Sequence, residues 1–201
     1  MAAIVVPYRG AGGKERLEPL ADDAREELAL AMLGDVVAAC VAVGPTVVVT
    51  SDPAGAELSE EVGAYAVEDP GGGQGPAVSA ALSLLDGEAT LVVNADVPCV
   101  VPHDLRALAA AAPPGGLAVV PAGDGTTNAL SLAHPRLFAP LYGPGSAGRF
   151  RERAAELGVE AIAAVIPSLE DDVDTLADVR RVSLRAGPRT QTAIATLGIA
   201  E

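Results

Sequence analysis

A chain of 201 residues, half of them apolar, carries enough hydrophobic surface for a sizeable core. Aromatic residues make up only 2% and Trp is absent, so that core must be built from Ala, Val, Leu and Ile, as in strands sandwiched between Ala-rich helices. A formal charge of −14 excludes non-specific nucleic-acid binding, which needs a basic surface to displace phosphate counterions.

Cys40 and Cys99 fit no metal-ligand spacing and are expected as reduced, buried thiols. The opening "MAAIVVPYRG" has no basic n-region, and no apolar run approaches the length of a bilayer span. A cytoplasmic chain without membrane contact is the expectation, free to act alone or as a homodimer.

The first β-branched run, Ala3–Pro7, predicts a strand. It leads into "RGAGGKERL", which holds Gly12, Gly13, Lys14 and Arg16. Lys14 is the sole lysine; the other twelve basic residues are arginine. Enrichment in Ala and Gly, with Arg in place of Lys, suggests a GC-rich genome, and Lys14 has survived that drift. Glycines let backbone amides turn toward a phosphate, and Lys14 and Arg16 supply charge. The loop is not a Walker A motif, because Glu15 follows the lysine, and it lacks G-x-G-x-x-G. Local pattern alone fits a solvated surface loop equally well.

Asp22 or Asp23 can cap a long helix reaching about Val43. Strands follow at Thr46–Thr50 and Ala64–Val67, with no helix expected between them. Thr50, Ser51 and Asp52 form either a turn or a contact to a base or ribose. After the third strand come Asp69 and "GGGQG", with Gly73 and Gln74, and then a helix from about Pro76 to Leu85. The run Thr90–Asn94 is continuously apolar at 91–93, as in a parallel strand covered on both faces, and ends at Asp96. A helix from Pro102 to about Ala112 follows, then strands Leu117–Pro121 and Asn128–Leu132. Ser146 can cap a helix through Leu157, and strand Glu160–Ile166 comes next. Asp174 or Thr175 opens a helix to about Leu184, and Gly187–Glu201 is a short helix or a tail.

This order predicts a three-layer α/β fold with a mainly parallel central sheet, as one domain over residues 1–201. In such sheets ligands sit outside the carboxyl ends of the strands. The Lys14 loop, Thr50–Asp52, the Gly71–Gly75 cluster and Asp96 all fall on that edge.

Three further clusters are candidates. Asp96 stands just past a buried strand, in a proline-containing turn, where a carboxylate either holds a metal ion or simply forms the turn. Asp172 and Asp174 have D-x-D spacing and can share Mg²⁺, although the segment taken alone favours Asp174 as the cap of the following helix. "GDGTTNAL" and "YGPGSAGRF" bring hydroxyls, glycine amides and Arg149 to a helix start, which is either an anion site or plain turn chemistry. Asp104 reads as a helix first-turn residue, and His103 and His134 as surface or capping residues.

Taken together, "VPYRGAGGKERL", "VVVTSDP", "GGGQGPAVSAAL", "LVVNADVP", "DGTTNALSL", "YGPGSAGRF" and "DVDTLADV" resemble, in order, the small-molecule nucleotidyltransferases built like the molybdenum-cofactor guanylyltransferase. Within them the resemblance is to the guanylyltransferases of coenzyme F-420 biosynthesis, and it covers nearly the whole chain. It implies a Rossmann-like nucleotidyltransferase fold and Mg²⁺-dependent transfer of GMP from GTP to phosphoenolpyruvate or 2-phospholactate. It also implies roles. Lys14 and Arg16, with Gly12 and Gly13, match the triphosphate loop. Thr50, Ser51, Gly73 and Gln74 match guanosine-binding segments. Asp96 matches the metal-binding aspartate and Asp174 the second acidic position. Thr127, Gly143 and Ser146 match positions near the phosphorylated acid. Asn94 stands where family members often have proline, and Phe150 where they often have histidine. Competing readings are a molybdopterin, sugar-phosphate or cytidylyl transferase, a D-x-D glycosyltransferase using Asp172 and Asp174, and a nucleotide-binding module without catalysis.

Overall fold

The computed structural model describes residues 2–10, 17, 20–85, 87 and 89–199. Gly12, Gly13, Lys14 and Arg16 therefore lie outside the described residues. The strands are β1 (Ala3–Pro7), β2 (Thr46–Thr50), β3 (Tyr65–Glu68), β4 (Thr90–Val93), β5 (Leu117–Pro121), β6 (Thr127–Leu132) and β7 (Ala161–Ala163). Among the described residues they form one sheet in the order β3-β2-β1-β4-β6-β5-β7. All run parallel except β6, which pairs antiparallel with both β4 and β5. The reversal comes from a tight β5–β6 hairpin. In its turn Gly125 takes φ +81°, and Asp124 accepts from Thr126 N at 2.9 Å and Thr126 Oγ1 at 2.6 Å.

The helices are α1 (Asp22–Val41), α2 (Pro53–Val62), α3 (Gln74–Leu82), α4 (Pro102–Ala111), α5 (Ser146–Glu156), α6 (Pro167–Glu170), α7 (Leu176–Val182) and α8 (Pro188–Thr196). Alternate strand residues face opposite layers, as the period of two requires. Ile4, Val6, Leu91 and Val93 pack with α1, α4 and α6, while Val5, Val92, Val119 and Leu130 pack with α3 and α5. This is the expected three-layer α/β/α arrangement.

A third cluster holds no strand residue. Leu28 and Met32 of α1 meet Val179 and Val182 of α7 and Ala193 and Ile194 of α8. Helix α1 is thus buried against the sheet on one side and against α7 and α8 on the other, which explains its nearly all-apolar second half. Asp35, buried in that half, accepts from Arg189 N at 3.1 Å and Thr190 N at 2.8 Å and so caps α8.

The structure departs from the sequence expectations at several points, among them a β7 cut back to Ala161–Ala163 and the short helix α6 that follows it. Helix α2 lies between β2 and β3, where no helix was expected. Asp52 caps it, accepting from Ala54 N at 3.1 Å, Pro53 opens it and Gly63 closes it at φ +102°. It fully buries only Gly55 and Ser59 and packs Leu58 and Val62 against the core, a short apolar stripe in ten residues. Ala21, not Asp22 or Asp23, is the N-cap of α1. Gly145, not Ser146, caps α5, because Gly145 adopts the left-handed conformation at φ +72° that the turn needs. Of the two residues that could open α7, Thr175 is the cap, in a capping box with Asp178.

Candidate active site

The chain runs from β1 outward to β2 and β3, then returns across β1 to β4 on its other side. The crevice between the tips of β1 and β4 is therefore the switch point at which α/β sheets bind ligands. A cleft of about 230 Å³ opens there. Arg9 and Gly10 line it from the end of β1, Gln74 from the first residue of α3, Asn94 and Asp96 from the end of β4, and Asp174 from the segment before α7. Of the sequence-predicted residues, the fold thus brings Gln74, Asp96 and Asp174 to one cavity.

Asp174 arrives there from almost eighty residues further along the chain because the amide of Val173 donates to the carbonyl of Asp96 at 3.0 Å. Val173 itself is buried, and the aspartates on either side of it are held near the tip of β4. Burial, together with the charges of Asp96 and Asp174, pushes Asp172 up to about 6, against a hydrogen bond from Asn128. Asp172 and Asp174 also line a second basin of about 580 Å³, whose wall includes Asp124, Glu170, Asp171 and Asp178. Arg181, the one lining cation among the described residues, is engaged by Asp171 and, at 2.8 Å, by Asp178.

Among the described residues no group of three or more His, Cys, Asp or Glu side chains makes a ready metal cage. The donors present nevertheless fit a hard divalent cation that completes its shell with water and phosphate. Asp96 and Asp174 both line the cleft, and burial together with their charges raises the neighbouring Asp172.

Among the described residues, Thr50, Ser51, Gly73, Thr127, Gly143 and Ser146 do not line the cleft. Thr50 is buried, its hydroxyl accepting from Asp52 N at 3.0 Å as part of the turn into α2, while Ser51 is exposed. Gly73 caps α3 with φ +107°, and a Cβ there would meet Arg9 Nη2 at 3.1 Å, which places the guanidinium over the start of α3. Thr127 and Ser146 are both buried and share a hydroxyl–hydroxyl bond of 2.9 Å. Gly143, at φ +110°, accepts from Ser146 N at 3.0 Å.

Arg149 does not face a ligand. Its guanidinium donates to the carbonyls of Leu141 at 2.7 Å, Tyr142 at 3.2 Å, and Pro144. Phe150 is fully buried between Phe138 and Tyr142, with ring centroids 6.0 and 5.5 Å away, so it serves the core. Asp104 accepts from Val101 N at 3.3 Å and Ser168 Oγ at 2.5 Å, a structural role, and His134 caps the turn at Pro135–Leu137 through Arg136 N.

Sequence reasoning passed over two cleft residues. Arg9 is exposed at the rim, and its signal was only its place two residues past β1. Tyr8, buried, wedges its ring against the first turn of α2, where a Cβ on Gly55 would lie 2.5 Å from Tyr8 Cε1. Burial and the nearby charges of Asp52 and Glu26 hold its phenol well above the ordinary value.

Comparison with known proteins agrees with this fold. Residues 19–157 match the MobA-like NTP transferase domain. The chain is 37% identical over 200 residues to the phosphoenolpyruvate guanylyltransferase of Geodermatophilus obscurus, covering 94% of this chain and 91% of that one. It is 40% identical over 211 residues to the phosphoenolpyruvate guanylyltransferase of Streptomyces scabiei, covering 96% of each. Among solved structures, one from Desulfovibrio desulfuricans G20 superposes with a TM-score of 0.76 at 14% identity, covering 100% of this chain and 97% of the other. A nucleotidyl transferase from Methanothermobacter thermautotroptrophicus superposes with a TM-score of 0.63 at 20% identity, covering 98% and 99%. Both of these likenesses concern the fold. Together with the cleft at the switch point, the sequence matches establish that the chain belongs to the MobA-like NTP transferase family and is a nucleotidyltransferase.

Proposed function

We propose that this enzyme transfers GMP from GTP to the phosphate of a three-carbon phospho-acid, phosphoenolpyruvate before 2-phospholactate, and releases pyrophosphate. The reading rests on one observation: Asp96 and Asp174 share a cleft with Arg9 and Gln74 at the switch point of the sheet. The relatives' names, and the resemblance to guanylyltransferases of coenzyme F-420 biosynthesis, supply the substrates and the pathway. A cytoplasmic location suits these metabolites, and no helix of the described residues is long and apolar enough to cross a membrane.

The reaction joins a phosphate oxygen of the acceptor to the α-phosphorus of GTP, and the bond to the pyrophosphate leaving group breaks. A phosphate monoester is already mostly dianionic at neutral pH, since its second pKa is about 6, so the nucleophile needs no strong base. The cleft accordingly carries no His or Cys among its lining residues. The barrier is electrostatic, because two anions must meet. Nucleotidyltransferases of this family use a divalent cation; Asp96 and Asp174 would hold it, as Mg²⁺, and it would supply positive charge against the reacting phosphates.

The chain's own residues do the rest. Arg9 reaches over the start of α3 and binds phosphate at the rim of the cleft. Lys14 and Arg16 take the developing charge on the leaving pyrophosphate, a compact ammonium suiting a glycine-rich loop better than a planar fork. Gln74 faces the nucleotide. Thr127 and Ser146, bonded to each other below the surface, fix the hairpin and helix ends that border the acceptor.

The test is direct. Purified enzyme, GTP and Mg²⁺ are incubated with phosphoenolpyruvate, 2-phospholactate or 3-phosphoglycerate, and products are identified by mass alongside pyrophosphate release. A guanylylated acid supports the reading. Transfer to a molybdopterin or sugar phosphate, sugar transfer, or binding of GTP without pyrophosphate release refutes it.

A further inference from the structure

A hydrogen-bonded chain crosses the floor of the cleft. The amide nitrogen Nδ2 of Asn94 donates to the backbone carbonyl of Thr127 at 3.1 Å. Its oxygen Oδ1 accepts from Gln74 Nε2 at 2.6 Å. The backbone N–H of Asn94 donates to the carbonyl of Asn128 at 2.9 Å, so the residue is anchored by main chain as well.

The orientation of both amides follows from this network. A carbonyl can only accept, so Asn94 must present its NH₂ to Thr127 and its oxygen to Gln74. Gln74 must then turn its own NH₂ toward Asn94. Its Oε1 is left as an acceptor with no donor among the described residues, on a side chain that lines the cleft.

We propose that Asn94 is a positioning residue that fixes the Gln74 carboxamide with its carbonyl oxygen toward the nucleotide. There it accepts from a donor of the nucleoside, either a ribose hydroxyl or the 2-amino group of guanine. Without Asn94 the Gln74 amide rotates freely and presents NH₂ as often as oxygen, and a donor on the nucleoside is then opposed by another donor. The inference rests on the GTP-using reading above and deepens it, because it names the group that recognises the nucleoside part of GTP.

The experiment measures steady-state kinetics of the full-length enzyme and of Gln74→Met, Asn94→Ala and the double variant. The nucleotides are GTP, 2′-deoxy-GTP, 3′-deoxy-GTP and ITP, which lacks the 2-amino group. In the wild type, one of the three analogues is expected to lose about tenfold in kcat/KM, the size of one neutral hydrogen bond. Loss with ITP identifies the base as the donor, and loss with a deoxy analogue identifies the ribose. In both single variants KM for GTP rises by about tenfold, more than kcat falls, and the discrimination against that analogue disappears. The double variant is no worse than Gln74→Met alone, because the two residues act through one contact.

Wild-type turnover accompanied by variants that keep the wild-type KM and discrimination, or whose losses add in full, overturns this inference alone. A wild-type enzyme inert toward GTP with every acid overturns the functional reading and this inference with it. Should Gln74→Met fail to fold, Asn94→Ala carries the same comparison.

Discussion

The amide of Val173 donates to the carbonyl of Asp96 across 3.0 Å, and that backbone bond helps dock the segment before α7 onto the tip of β4. It assembles the carboxylate pair of the cleft from two distant parts of the chain. It also places the D-x-D spacing of Asp172 and Asp174 beside the sheet's central crevice.

Asp96→Asn and Asp174→Asn each remove one charge with little change in shape. Each is expected to lower guanylyl transfer by about 10²-fold or more, in line with the loss of an electrostatic contact made at the reacting phosphates. Far-UV circular dichroism should match the wild type. Excess EDTA should abolish turnover in the wild type, and added Mg²⁺ should restore it. Activity that persists in EDTA, or in either variant, removes these residues from the site.

Arg9→Met and Lys14→Met test the cationic side. Lys14→Met is expected to cost about 10²-fold in kcat, because its charge is used as pyrophosphate leaves. Arg9→Met should act more on KM for GTP than on kcat, because an exposed rim guanidinium binds ground state and transition state alike. Initial-rate kinetics over GTP concentration separate the two patterns, and an Arg9→Met enzyme with unaltered KM contradicts its placement.

Gly187→Ala examines the docking of α8. A Cβ at Gly187 would lie 2.3 Å from Cγ of the buried Asp35 carboxylate, and the backbone there, at φ −65°, is otherwise ordinary. The clash should destabilise the fold by about 1–3 kcal/mol, read as a drop in Tm of several degrees. Asp35→Ala relieves the clash but leaves the α8 N–H groups uncapped, costing about 1–2 kcal/mol. The double variant should therefore be more stable than the sum of the two losses predicts.

The α7 capping box should make stability depend on acid pH. Burial raises the Asp178 carboxyl, but hydrogen bonds from Arg181, Thr175 and the Asp174 backbone outweigh it, so its folded pKa lies below the ordinary 3.8. A depressed carboxyl contributes stability that is present above the unfolded pKa and lost as pH falls through the folded one. Asp178→Asn should thus lower Tm at pH 7, and the gap to wild type should close below about pH 4. A gap that stays constant down to pH 2.5 contradicts the assignment.

Much of the fold was legible in the chain. Runs such as "TVVVT" and "LVV" announce strands covered on both faces, because continuous apolar β-branched sequence has no other stable place in water. The carboxylate after the fourth strand and the glycine cluster after the third were legible for the same reason, since ligand-binding residues of parallel sheets follow strand ends. Helix α2 was less legible, because only Leu58 and Val62 make its apolar stripe and its fully buried residues are the small Gly55 and Ser59.

What the amino-acid sequence determined by itself was local: which segments become strands, where the turns fall, and that the charge is acidic. Which carboxylate is a cap and which faces the cleft was decided only in three dimensions, when Thr175 took the cap and Val173 tied Asp174 to Asp96. The same holds for Asn94, whose partners Gln74 and Thr127 stand 20 and 33 residues away, and for Arg149 and Phe150, which the packed structure uses for turn carbonyls and the aromatic core. The physical reason is that periodicity and turn chemistry act between near neighbours, whereas hydrogen bonding and desolvation at a site depend on contacts that exist only once the sheet has closed.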